Sequence, residues 1–272
     1  MNNGLHFVAG LPRAGSTLLA ALLRQNPHFH AAMSSPVASL VQGLARLMSQ
    51  ENEGAVFIDD DQRARILTAA VAAYYCDIHP HQCVFDTNRL WPTRLSLLAR
   101  LYPDARIIAC VRNPAWVLDS IESLTQRNPL EPSGLFKFDP GGTVYSRADG
   151  LMSASGMIGF ALAAVREAVF GAHRDRIMLV RYDTLAAEPL ATLSAIHSFI
   201  GQPMFAYDPD HVEQDYDALM FDARLGAPGL HSVGSRVGLR PRPTILPPDL
   251  FERQAALAFW DKGELPDGVR IV

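Results

Sequence analysis

Residues 6–27 read HFVAGLPRAGSTLLAALLRQNP, and this stretch decides the fold. An apolar strand pattern over Leu5–Ala9 meets a turn bracketed by Gly10 and Gly15. An apolar helical pattern follows from Ser16 to Gln25 and stops at Asn26-Pro27. Strand, Gly-bracketed loop and helix in that order form the layout of a phosphate-binding loop, G-x-x-x-x-G-K-[ST]. Gly10 and Gly15 have the required spacing and Thr17 is in place. Ser16, however, holds the lysine position, and an arginine, Arg13, stands three residues earlier.

The loop's chemistry follows from its residue types. After the strand, the amides of Arg13, Ala14, Gly15, Ser16 and Thr17 can curl into an anion nest. The helix N-terminus behind them adds partial positive charge. The hydroxyls of Ser16 and Thr17 are further donors, and Arg13 offers a planar fork to phosphate oxygens. A site that cleaves a triphosphate uses lysine and magnesium to neutralise several charges. Without the lysine, this loop suits a group of lower charge, with no metal required.

Outward from the loop, strand patterns alternate with helical ones. The runs CVFDT (83–87), ARIIACVRN (105–113) and RIMLVRY (176–182) read as further strands. Helices are expected from Ser35 as N-cap, within DDDQRARILTAAVAAYYCDI, in PTRLSLLARLYP, from Pro114 to about Leu124, and across ADGLMSASGMIGFALAAVREAVFGAH. Two more are expected up to Gly201 and from about Pro248 to Trp260. The expectation is an α/β fold of three layers, α/β/α, with a central, mostly parallel sheet of the nucleotide-kinase-like phosphate-loop type. It should form a single domain over residues 1–272. Such sheets bind ligands at the carboxyl ends of their strands.

A second motif lies at such an end. In CVRNPAWVLDSIESL, Arg112 closes a strand and Ser120 follows eight residues on, in the next helix. An arginine and a helix-borne hydroxyl can converge on one phosphate dianion. The alternative for Arg112 is an ion pair with Asp119.

These motifs together resemble the sulfotransferase family, bacterial members in particular. LPRAGSTLL is similar to its 5'-phosphosulfate loop, P-[KR]-[SA]-G-[ST]-[ST]-L, with arginine as in protein-tyrosine sulfotransferases. Arg112 and Ser120 match its R-x7-S spacing for the 3'-phosphate. LVRYDTLAAEP, IHSFIGQP and GLHSVGSRVGLRPRPTILPPDLF resemble later segments, so the likeness runs along nearly the whole chain. It implies 3'-phosphoadenosine 5'-phosphosulfate (PAPS) as donor and PAP as product, with a sulfonate moved to an alcohol, phenol or peptide tyrosine. Arg236, in the basic tail, is then a candidate to close over the donor. A phosphate-loop kinase of small molecules or nucleotides, or a non-catalytic nucleotide-binding protein, are the rival readings.

The base that takes the acceptor's proton does not carry over. The family's K-T-H place reads FDTNRLW here, and the place of the tyrosine sulfotransferases' glutamate falls on Met33-Ser34. Strand alternation puts Asp86 and Asn88 on one side at a carboxyl edge. This points to Asp86 as base, with Asn88 or Arg89 positioning; the alternatives for Asp86 are to orient Arg13 or to cap a helix. His30 is the second choice of base. Residues 127–145 and 202–240, little patterned and carrying Phe136, Phe138, Tyr145, Phe205, Tyr207 and Tyr216, are expected to cover the acceptor pocket. Ser34, Ser35 and Pro36 are expected to border it.

Bulk properties set the remaining expectations. The chain has 272 residues, 49% hydrophobic and 19% charged, with a net charge of -4 and a pI near 6.1. This balance gives no reason to expect nucleic acid or an acidic membrane surface as partner. The three cysteines, Cys76, Cys83 and Cys110, form no C-x-x-C pair and read as free thiols of a reducing compartment. The start of the chain lacks a basic signal region, and the helical run ILTAAVAAYY is shorter than the ~20 residues of a membrane span. A cytoplasmic protein of bacterial composition is expected, with no sign of a homo-oligomer.

Overall fold

Apolar runs that continue without alternation predict strands covered on both faces, and the structure bears this out. The computed structural model describes residues 4–127, 136, 142–239, 241–263 and 265–272. Its strands are β1 (Leu5–Gly10), β2 (Phe29–Ala31), β3 (Cys83–Thr87), β4 (Ile107–Val111), β5 (Ile177–Arg181) and β6 (Arg270–Ile271). They form one sheet in the order β2-β3-β1-β4-β5-β6, and every pairing is parallel. All residues of β1, β3 and β4 are buried. The fold is α/β, as expected.

The helices are α1 (Ser16–Leu23), α2 (Val37–Leu47), α3 (Asp60–Tyr74), α4 (Leu95–Leu101), α5 (Pro114–Arg127), α6 (Val144–Met152), α7 (Met157–Phe170), α8 (Tyr182–Ala187), α9 (Pro189–Ile200), α10 (Tyr216–Arg224) and α11 (Pro248–Ala255). Local signals explain several ends. Asp59 and Gln62 form a reciprocal capping box at the start of α3, and Gly201 closes α9 in a left-handed conformation. Around β1, the Phe7 ring packs 4.5 Å from that of Trp91, and both side chains are fully buried. Burying each of these rings contributes about 2–3 kcal/mol.

The differences from the sequence reading are local. The two edge strands, β2 with three residues and β6 with two, are too short to leave an alternation pattern. Ser35 sits one residue before the cap position of α2, which Pro36 takes. The helix expected across residues 148–173 is two helices, because α6 ends at Met152 and α7 starts after Gly156. As one run, Val144–Phe170 is long and apolar enough to cross a bilayer; the break between the helices divides it. Glycine permits that break: a Cβ at Gly156 would collide with the carbonyls of Gly150 and Leu151. The 202–248 segment, expected to be mostly irregular, contains α10.

The strand order places the site. From β1 the chain runs outward to β2, returns to β3, and then crosses to β4 on the other side of β1. Loops leaving the carboxyl ends of β1 and β4 therefore diverge, and the crevice between them is where open parallel sheets take ligands.

Candidate active site

Four strand ends deliver residues to one cleft of about 1480 Å³. The β1 end brings Arg13, Gly15, Ser16 and Thr17; the β3 end brings Asn88 and Arg89; the β4 end brings Arg112; the β5 end brings Tyr182. Ser120 of α5 and residues 230–234, 236–239 and 241–242 are also on the walls. This exceeds the ~300–1,000 Å³ of ordinary small-molecule sites, so there is room for two substrates side by side.

The loop's geometry is set by close packing. Gly10 has φ 118°, and a Cβ there would collide with the backbone of Cys110 on β4. Leu11 N donates to Cys110 O at 2.9 Å. Arg13 has φ 59°, the one non-glycine residue with positive φ among the described residues. That conformation costs about 1–2 kcal/mol, and such strain concentrates where a loop is shaped for a ligand. Gly15, φ 94°, then starts α1, and no side chain caps that helix. Its first amides are left for an anion. Ala14 is fully buried.

The two motifs singled out in the sequence meet here. Arg13 Nε donates to Ser120 Oγ at 3.1 Å, and Arg112 Nη1 donates to Arg13 O at 3.4 Å. The Arg112 guanidinium lies over the Tyr182 ring, 4.3 Å from its centroid. Arg112 Nε is buried without a hydrogen-bond partner. The alternative pairing of Arg112 with Asp119 does not form. Asp119, fully buried, accepts from Thr244 Oγ1 at 2.7 Å and Ile245 N at 2.8 Å, and pairs with Arg242.

Arg13, Arg89 and Arg112 make no ion pair among the described residues. Burial is the main cause that lowers the pKa of each, and for Arg13 the Arg112 charge adds to it. Arg89 lines the cleft and is exposed, whereas Arg13 and Arg112 are half-buried. Three guanidiniums without carboxylates concentrate positive potential in a walled cleft, and an anion relieves it.

The remaining expected residues are placed differently. Asp86 lies outside the cleft, fully buried, where Oδ2 accepts from Ser35 and Tyr75 at 2.5 Å each and Oδ1 from Trp91 Nε1 at 2.6 Å. Burial, outweighing these bonds, raises its pKa. It neither orients Arg13 nor reaches an acceptor, and so does not fit the base expected of it. His30 is on β2 with its ring 5.8 Å from that of Tyr75 and also lies outside the cleft. Asn88 lines the cleft, but its amide is tied to Ser35 O and Leu90 N. Arg236 is at the rim, exposed, its Nε 2.6 Å from Asp210 Oδ1. Ser34 lines the cleft, whereas Ser35 and Pro36 do not. Tyr145 bonds to Asp249, Phe205 and Tyr207 pack on each other, and Tyr216 is exposed. Phe136 is buried; Phe138 and Arg240 lie outside the described residues.

One pair escaped the sequence reading. Asp222 of α10 is almost completely buried. Its Oδ1 is 2.5 Å from His231 Nδ1, and its Oδ2 accepts from His231 N at 2.7 Å. His231 lines the cleft. Burial lowers its pKa, with Asp222 opposing and Arg13 and Arg89 adding to the fall. The residues are nine apart in a segment with little periodicity. Left-handed Gly226 and Gly229 turn the chain back so that they meet.

Comparison with known proteins accords with this geometry. The sequence model of the sulfotransferase family matches residues 6–206. Protein-tyrosine sulfotransferase 1 of Rattus norvegicus is 27% identical over 120 residues, 41% of this chain and 32% of the relative. Nodulation protein NoeE of Sinorhizobium fredii is 26% identical over 221 residues, 75% of this chain and 50% of the relative. The chain thus spans between a third and a half of these curated relatives. The sulfotransferase domain of the curacin biosynthetic pathway superposes with a TM-score of 0.54 at 16% identity, covering 97% of this chain and 99% of that domain. That of the Synechococcus PCC 7002 olefin synthase gives 0.50 at 18%, covering 97% and 96%. These two likenesses speak for the fold. The chain belongs to the sulfotransferase family.

Proposed function

We propose that this member of the sulfotransferase family moves a sulfonate from PAPS to a hydroxyl acceptor, an alcohol, phenol or peptide tyrosine, and that residues 1–272 act as one domain. The observation that carries the reading is a cleft lined by three arginines without ion-pair partners among the described residues, Arg13, Arg89 and Arg112, and by an uncapped helix start. The orphaned Arg112 Nε is a donor awaiting an acceptor. In this reading the amides of Arg13 to Thr17 and the Arg13 guanidinium hold the 5'-phosphosulfate. Arg112 and Ser120 hold the 3'-phosphate. Bound there, the donor supplies an activated sulfonate whose leaving group is a phosphate oxygen. Arg13 and the Ser16 and Thr17 hydroxyls then stabilise the charge that develops on that oxygen. The hydrogen bond from Arg13 to Ser120 joins the two phosphate subsites.

Isothermal calorimetry with adenosine 3',5'-bisphosphate, beside ATP with magnesium, tests the donor. Tight binding of the bisphosphate in the presence of chelator is expected, and a preference for ATP would overturn the reading in favour of a kinase. A labelled-sulfonate transfer screen over phenols, alcohols, sugars and tyrosine peptides then identifies the acceptor class.

A further inference from the structure

The cleft takes anion donors from the β1, β3 and β4 ends, yet neither the carboxylate nor the histidine expected as base reaches it. Asp86 is sealed among Ser35, Tyr75 and Trp91, and His30 lies on the edge strand against Tyr75. His231 is the histidine among the cleft-lining residues. We propose that His231 is the proton acceptor of the transfer and that Asp222 is its positioning residue. This rests on the sulfotransferase reading above.

The geometry fixes the tautomer. Asp222 is almost completely buried and receives two donors from one residue, the His231 amide at 2.7 Å and Nδ1 at 2.5 Å. With the proton of the neutral ring on Nδ1, the lone pair is on Nε2, at the far side of the ring from Asp222. Among the described residues no hydrogen bond engages Nε2. The Phe221 ring meets the imidazole edge-on at 5.5 Å and restricts its rotation. The charged groups that face the ring are Asp222 from α10, Arg13 from the β1 loop and Arg89 from the β3 end. The two arginines and burial keep it neutral and ready to accept, and the carboxylate stabilises it once it has accepted.

In the step itself, a lone pair of the acceptor oxygen forms the new O–S bond as the bond from sulfur to the bridging phosphate oxygen breaks. That oxygen leaves with the bonding electrons as part of PAP, beside Arg13. The acceptor's hydroxyl proton passes to His231 Nε2, and the imidazolium returns it to solvent after product release. Base and leaving-group donors line the same cleft, one in the 226–239 segment and the other in the loop after β1.

The test uses His231→Gln, His231→Ala and Asp222→Asn in the full chain. Calorimetry with adenosine 3',5'-bisphosphate comes first, and transfer of labelled sulfonate from PAPS is then followed to water and to a series of phenols of graded acidity. The expected result is donor affinity within about threefold of the parent and transfer reduced on the order of 10²–10⁴-fold in the histidine variants. The deficit should shrink as the phenol becomes acidic enough to arrive ionised, and free imidazole should partly restore His231→Ala. In Asp222→Asn, removal of the charge that favours protonation should move the acid limb of the rate profile to lower pH at unchanged donor KM. Transfer by both histidine variants within threefold of the parent, at saturating donor, overturns the assignment. A parent chain that does not bind the bisphosphate overturns the sulfotransferase reading itself, and the proposal with it.

Discussion

Two polar regions lie within a few residues of each other in the chain and behave in opposite ways. Under β3, the Asp86 carboxylate is closed off by Ser35, Tyr75 and Trp91, so both of its oxygens are occupied. Just past the end of that strand, Arg89 opens into the cleft, where it joins Arg13 and Arg112 without an acidic partner. The first region spends its hydrogen-bonding capacity internally and holds the fold. The second leaves capacity unspent and is shaped for a ligand. A buried charge by itself did not distinguish the two; the count of donors already engaged did.

The sharpest way to break this contrast is to remove Asp86. Asp86→Ala leaves three buried donors without an acceptor, and a stability loss of about 4 kcal/mol is expected in urea denaturation. Donor binding measured below the unfolding range should stay near that of the parent. A large loss of donor affinity with little loss of stability would place Asp86 in the site after all.

A histidine belongs to the closed kind as well. His6 is buried and its Nδ1 accepts from Arg106 N at 3.2 Å, which requires the neutral ring; burial brings its pKa down to about 4. The unfolded chain therefore binds a proton below pH 6.5 that the folded chain refuses until about pH 4. Its contribution is complete above pH 6.5 and falls away as the pH drops through that window, by roughly 3 kcal/mol in all. Urea midpoints at pH 7 and pH 4.5 should differ less in His6→Asn than in the parent. Equal slopes would remove His6 from the account.

On the open side the signs reverse. Arg112→Ala should weaken adenosine 3',5'-bisphosphate binding about 100-fold, the loss of one charge-assisted contact to a phosphate dianion. Calorimetry reads this directly. The smallest effect is the most telling one. Arg89→Gln removes an exposed cation that has no ion-pair partner among the described residues, and the unliganded protein should unfold within ~0.5 kcal/mol of the parent. A clear drop in stability would mean that Arg89 has a structural partner.

The expected site residues that the structure brings to the cleft share a property. Gly10, Arg13, Gly15 and Thr17 span the junction of β1 and α1, and Arg112 and Ser120 that of β4 and α5. Their meaning is carried by local geometry and by the rule that parallel strands present carboxyl ends together. Asp86 misled for the opposite reason. It stands at the carboxyl edge of β3, but which way its carboxylate is used depends on Tyr75, just after α3, and Ser35, before α2, neither of which alternation along β3 can report. Arg236, expected to close over the donor, lines the cleft at its rim, where Asp210 holds its side chain.

What the sequence by itself determined was the α/β alternation, the loop without its lysine, and the pair of arginine motifs after β1 and β4. Short-range steric and hydrogen-bonding rules act over a few residues and leave a visible pattern. Only the tertiary structure decided that Asp86 is sealed, that the arginines have no acidic partners, and that Asp222 turns back to hold His231 against the cleft. Those outcomes depend on which distant surfaces pack together, and burial and unspent hydrogen bonds exist only once they have.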